Sequence, residues 1–151
     1  MKRFTQFGSL ALTVAALCTA AVVAKERPHS FRGSGVLNLA NLQFTSNGIA
    51  THLGSFKEEG AITSMVPDPE GQPGDFLISG WAVLTAADGD ELHETFAGRL
   101  NLATGVARAI VTYGPCDQGR FANASGTATL SLQLNLATGS FRYRGDGVLD
   151  Y

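Results

Sequence analysis

Apolar and polar residues alternate in short runs along most of the chain, and glycine punctuates the runs. The clearest run is Thr127 to Leu136. Leu130, Leu132, Leu134 and Leu136 share one side, and Thr129, Ser131, Gln133 and Asn135 share the other. Successive side chains of a strand point to opposite faces, so this pattern predicts a strand with one buried face. Phe76 to Thr85, which contains Trp81, and Leu92 to Leu102 read the same way, with the turn pair Asp88-Gly89 between them. Strands are predicted near 31–38, 49–57, 60–66, 75–86, 91–102, 106–113, 125–136 and 140–150. No segment beyond residue 24 carries a convincing 3.6-residue period.

The turns support hairpin connections. Asn101-Leu102-Ala103-Thr104-Gly105 recurs as Asn135-Leu136-Ala137-Thr138-Gly139, each copy lying between alternating runs. Two copies are too few for a repeat array, so they read as one hairpin solution used twice. The stretch from Pro67 to Gly74 is rich in proline and glycine and is expected to be a loop, the best candidate for a lid or tip. Hairpin-linked strands form an antiparallel sheet, and closing a sheet of about eight strands removes its exposed edges. The expected fold is therefore all-β, a single eight-stranded antiparallel β-barrel, with a two-sheet β-sandwich as the alternative. Leu77, Trp81 and Val83 oppose Phe76, Ile78, Ala82 and Leu84, while Val106 and Ile110 oppose Ala107, Ala109, Val111 and Tyr113. Apolar residues on the second face of a barrel strand imply a subunit contact, hence a homo-oligomer.

The chain's first 24 residues modify this picture. Lys2 and Arg3 precede an uncharged Leu-, Ala- and Val-rich run from Phe7 to Ala24, with Val22 and Ala24 suited to a cleavage site before Lys25. This is the pattern of a signal peptide; left uncut, the same run would be an N-terminal anchor. The expectation is a signal peptide over 1–24, a β-barrel domain over 25–151, and secretion or delivery to a periplasm, with no membrane association after cleavage. Cys18 leaves with the leader, and Cys116 alone cannot form an internal disulfide. Without Lys2 and Arg3, 9 of the 11 basic residues face 13 acidic ones. That balance argues against nucleic acid as a partner, because Arg142 and Arg144 are the only local basic cluster.

Candidate chemistry is sparse. Glu94 falls on the apolar face with Leu92, Phe96, Leu100 and Leu102. A carboxyl held there has a raised pKa and can serve as an acid, a base or a ligand anchor; the bland alternative is a carboxylate near a strand end, in water or paired with an arginine. Tyr143 shares its face with Phe141, and Phe96, Phe141 and Tyr143 are the candidate ligand-binding residues. His52 is the third candidate catalytic residue beside Glu94 and Tyr143. His29, His52 and His93 show no metal-binding spacing, and no metal or cofactor is expected. Asp88, Asp90 and Glu91 cluster at a turn without the ligand set of a calcium loop. Asn123-Ala124-Ser125 fits a glycosylation sequon.

Three stretches carry a family resemblance together: Ala50-Thr51-His52-Leu53-Gly54-Ser55-Phe56; Thr85-Ala86-Ala87-Asp88-Gly89-Asp90-Glu91-Leu92 with Gly98 beyond; and Gly119-Arg120-Phe121-Ala122-Asn123-Ala124-Ser125-Gly126. They resemble secreted bacterial proteins related to the allene oxide cyclase barrel and, more distantly, to plant dirigent proteins. The resemblance implies an eight-stranded barrel, often trimeric, whose apolar lumen holds an unstable apolar intermediate. Pro115-Cys116-Asp117-Gln118 departs from the usual Gly-rich turn, and the family's acid and base positions have no match here. Two functions follow as expectations. One is an exported barrel that binds an apolar small molecule or serves as a structural or interaction module. The other is a lumen isomerase or cyclase.

Overall fold

The computed structural model describes residues 26–151; the expected signal peptide and Cys18 lie outside the described residues. Eight strands follow one another: β1 (Arg27–Leu37), β2 (Gln43–Ala50), β3 (Gly54–Pro67), β4 (Asp75–Ala86), β5 (Glu91–Asn101), β6 (Val106–Gly114), β7 (Ser125–Leu134) and β8 (Ser140–Asp150). Each pairs antiparallel with the next, and β1 pairs with β8, so the sheet is a closed barrel with no free edge. The barrel is the expected fold, and the sandwich alternative is excluded by the β1–β8 pairing.

The second and third strands are displaced from the expected 49–57 and 60–66. They are Gln43–Ala50 and Gly54–Pro67, joined through Thr51–Leu53, so Glu58 and Glu59 lie within a strand and not at a turn. Ser46 and Gly48 take inward positions in β2, which leaves that strand without an apolar alternation to read. Strand β1 also begins earlier than residue 31, because Arg27 to Ser30 pair with β8 at Ser30–Asp146 through Arg27–Leu149.

The lumen is lined by aromatic rings laid over glycines of the neighbouring strand. A Cβ built at Gly145 would lie 2.2 Å from Cζ of Phe31, and one at Gly80 would lie 2.5 Å from Cζ of Phe96. Gly60 makes the same space for Phe44, and Gly33 for Tyr143. Ring and glycine together fill one layer of a small barrel without overpacking it.

One end is closed. The 115–124 segment folds over it and inserts Phe121, which is fully buried with Leu92 and Leu149. The Phe121 and Tyr151 rings sit 4.8 Å apart there. At the other end the repeated pentapeptides form matching turns. Asn101 Oδ1 accepts from Ala103 N at 2.9 Å, and Asn135 Oδ1 accepts from Ala137 N at 3.0 Å. Gly105 and Gly139 both have φ of 72°, the left-handed conformation that glycine adopts without strain. The loop expected as a lid is a tied turn: Asp68 N donates to Asp75 O, Gln72 N donates to Asp75 Oδ2, and Asp68 pairs with Arg99.

Candidate functional site

Five polar side chains meet in the middle of the lumen: Glu58 of β3, Glu94 of β5, Ser46 of β2, Tyr143 of β8 and Tyr113 of β6. Their positions follow from register. Ser46 opposes Glu58, Glu58 opposes Leu84 and Glu94 opposes Ala82 two residues earlier on the intervening β4, and Glu94 also opposes Tyr113. The Tyr143 hydroxyl donates to Glu58 Oε2 at 2.6 Å, and the Ser46 hydroxyl donates to the same oxygen. Ser46 Oγ and Tyr143 OH are themselves 2.8 Å apart, which closes a triangle of oxygens.

Burial pushes the Glu58 carboxyl above the usual carboxylate range, against the opposing pull of its two hydroxyl donors. Glu94 has no such donors among the described residues. Burial raises it well above that range, and the neighbouring Glu58 charge raises it further. Two carboxyls that interact this strongly titrate as a pair, and the pair retains a proton where free carboxylates have lost theirs. Burial also holds the phenols of Tyr113 and Tyr143 in their neutral form, with the carboxylates adding to the effect. The Tyr113 hydroxyl is buried without a hydrogen-bond partner.

Above this polar floor lies an apolar cavity of about 80 Å³. Phe44, Ile62, Phe96, Leu130, Leu132 and Phe141 form its walls, and Leu37, Leu100, Ala107 and Leu134 form the ring nearest the pentapeptide turns. A water-sized occupant needs about 10–15 Å³ on this measure, so the cavity holds roughly six such groups. Glu58, Glu94 and Tyr143 face it from below.

Glu94, Tyr143, Phe96 and Phe141 are thus brought to one cavity, and Glu94 is buried on β5 and takes part in no ion pair among the described residues. His52 is not among them. It lies in the turn at the closed end, where its ring N–H donates to the Pro28 carbonyl at 2.9 Å. There it stacks on His29 at 5.7 Å between centroids. His29 is 2% exposed, neither ring nitrogen has a partner, and burial, then His52, lower its pKa to about 4. Neutral His29 meets Tyr113 edge-on at 5.3 Å, so the closed end abuts the carboxyl layer.

Sequence reasoning missed Glu58, Ser46 and Tyr113 as site residues. Glu58 was hidden by the misplaced turn; with Phe56 and Gly60 on its face, the alternation Phe56-Glu58-Gly60-Ile62 marks it as inward. The acidic turn is no cation site: Arg120 bonds Asp88 at 3.1 Å and Asp90 at 3.1 Å, and Glu91 contacts His93. Cys116 is half-buried, its thiol directed to the Gln118 carbonyl at 3.1 Å. No group of three or more His, Cys, Asp or Glu suited to a metal ion occurs among the described residues.

Set against known proteins, the chain matches no family model, no curated protein and no solved structure.

Proposed function

We propose that the barrel is an exported carrier for one small, mostly apolar molecule, held in the lumen with its single polar end on Glu94. The observation that carries this reading is the apolar cavity ending on a buried carboxyl whose pKa burial raises well above the usual carboxylate range. Phe96, Phe141 and Leu132 supply apolar contact. A protonated Glu94 supplies one hydrogen-bond donor, which selects a ketone, alcohol or epoxide oxygen over a bare hydrocarbon. The volume fits a molecule of roughly six heavy atoms, given the space one water-sized group needs. The leader-like first 24 residues support export. The three family-like stretches and the eight-stranded closed barrel support kinship with the allene oxide cyclase and dirigent group.

Cyclopentanone is a suitable probe, followed by titration calorimetry on the full chain. Saturable binding at one per barrel is expected, abolished by Leu132→Trp, which fills the cavity, and weakened by Glu94→Ala. Equal heats for the parent and the Leu132→Trp variant would remove the lumen as the binding site.

A second reading is favoured by the proximity of two carboxyls in different surroundings. Glu94 in its neutral form can give a proton to a carbonyl or epoxide oxygen. Glu58, whose carboxylate form accepts from Ser46 and Tyr143, can take one from the adjacent carbon, so that the barrel isomerises its ligand with no net proton change. The carrier and the isomerase differ in turnover: proton exchange from solvent deuterium into bound ketone, lost in Glu58→Gln, belongs to the isomerase alone. The exposed apolar band on β3–β6 supports a homo-oligomer, and the family resemblance points to a trimer.

A further inference from the structure

The outer surface of the barrel carries an arrangement that the lumen does not use. Arg32 of β1 lies directly opposite Arg144 of β8, Arg144 opposite Ser131 of β7, Ser131 opposite Arg108 of β6, and Arg108 opposite Arg99 of β5. These positions form one continuous cross-strand row over five consecutive strands, with Arg142 one step beside it on β8. All five arginines are exposed. Arg99 is paired with Asp68; Arg32, Arg108, Arg142 and Arg144 have no ion pair among the described residues. The outward carboxylates of β1, β6, β7 and β8 are Asp146 and Asp150, both displaced along β8 toward the closed end.

Like charges directly opposite one another in a sheet destabilise it. Here the Arg32–Arg144 and Arg99–Arg108 pairs concentrate positive charge on one side of a chain with a formal net charge of −2. Arginine's planar fork matches carboxylate and phosphate oxygens, so an anionic partner relieves that repulsion. The row rises by one strand spacing at each step and spans roughly 19 Å of surface, at about 4.8 Å per strand. It also bends around more than half of the barrel's strands. A flat lipid surface touches only part of such a curve, whereas a linear chain can follow it. Ser131 lies within the row and Ser34, Thr129 and Gln133 flank it, while the apolar Val106 and Ile110 stand on either side of Arg108 and Asp146 follows Arg144 on β8. No aromatic platform for stacking nucleobases occurs on the outward positions of β1, β6, β7 or β8.

We infer that this arginine row is a binding face for a linear acidic polysaccharide, one carrying a carboxylate on successive sugar rings. The guanidinium groups take the carboxylates, and the serine, threonine and glutamine side chains meet the sugar hydroxyls. The site lies outside the lumen and is independent of what the lumen holds.

The test uses the full chain and polygalacturonate as probe, with neutral dextran, oligothymidylate and phosphatidylglycerol vesicles alongside. Expected is binding to polygalacturonate that weakens steeply with salt, with none to dextran. Arg108→Gln/Arg144→Gln should weaken it by about tenfold or more, the loss of one to two charge-assisted contacts. Lys57→Gln, an exposed cation on β3 outside the row, should leave it unchanged. The double variant should melt no lower than the parent, since it removes like-charge neighbours, so loss of binding is separable from loss of fold. Absence of polygalacturonate binding at low salt would overturn the proposal, as would equal weakening by Lys57→Gln. Tighter binding to oligothymidylate or to the vesicles would assign the row to another class of partner and also overturn it.

Discussion

Glu94 and His29 are buried ionisable groups of opposite kind, and they bend the pH dependence of stability in opposite directions. The folded barrel holds the Glu94 proton above the ordinary value of 4.5. The stability that its neutral form contributes is complete below about that pH and is lost as pH rises through the raised folded value. His29 is the reverse: its pKa falls from 6.5 to about 4 on folding. Its contribution is complete above about 6.5 and is lost as pH falls through about 4. Thermal melts of Glu94→Gln should lose most of the decline on the alkaline side and lie above the parent there. Melts of His29→Phe should lose the acid-side decline instead. An unchanged alkaline limb in Glu94→Gln would mean that this carboxyl is ionised and solvated in the fold. Glu94 was legible in the sequence because its neighbours on both sides of the period are apolar. Glu58 was not, because its inward neighbours in β2 are serine and glycine, which carry no hydrophobic signal.

At the scale of strands, the barrel is specified by pairs of ring and glycine across neighbouring strands. Gly145→Ala places a methyl group against the Phe31 ring at a separation that must be relieved by movement of one or the other. A loss of about 1–3 kcal/mol is expected, the usual cost of overpacking. Phe31→Leu removes the ring atoms in the way, so the double variant Phe31→Leu/Gly145→Ala should lose less than the sum of the single changes. Additive losses in denaturant melts would show that the two positions do not share the space. The matched turns make a second prediction. Asn101→Ala and Asn135→Ala each remove a side-chain acceptor for the turn's backbone N–H groups, and each should cost about 1 kcal/mol. The strands from β4 through β8 were legible because leucines, valines and aromatic residues alternate there, and the β4–β5, β5–β6 and β7–β8 turns carry Asp-Gly or the repeated pentapeptide. The β2–β3 hairpin was not: alternating glycines inside strands read as turn residues until a partner ring gives them a reason to be small. The turn at Thr51–Leu53 is likewise marked mainly by Gly54, at φ 69°.

The whole molecule presents a lumen with a buried acid at its floor, an arginine row on β5–β8 and β1, and exposed apolar side chains on β3, β4 and β6, of which Ile110 borders the arginine row. Trp81 is 44% and Ile110 51% exposed, and Val66 lies opposite Leu77, two outward positions along β4 from Trp81. A band of this kind on the outside of a closed barrel buries its apolar area by association. Sedimentation of the full chain is expected to report an oligomer that Trp81→Glu/Ile110→Glu converts to monomer. A parent chain that sediments as a monomer at micromolar concentration would contradict that assignment. The barrel itself was readable from strand count and hairpin turns. The lumen volume was not, since it depends on shear and on which glycines face inward, and neither is expressed in alternation alone.

The carrier reading is tested most directly by native mass spectrometry of the protein purified from its own host, beside a Leu132→Trp variant made in the same way. The account predicts one small oxygen-bearing apolar molecule per barrel in the parent and a bare chain mass in the variant. A bare mass in both, or the same added mass in both, would contradict a ligand held in the lumen above Glu94.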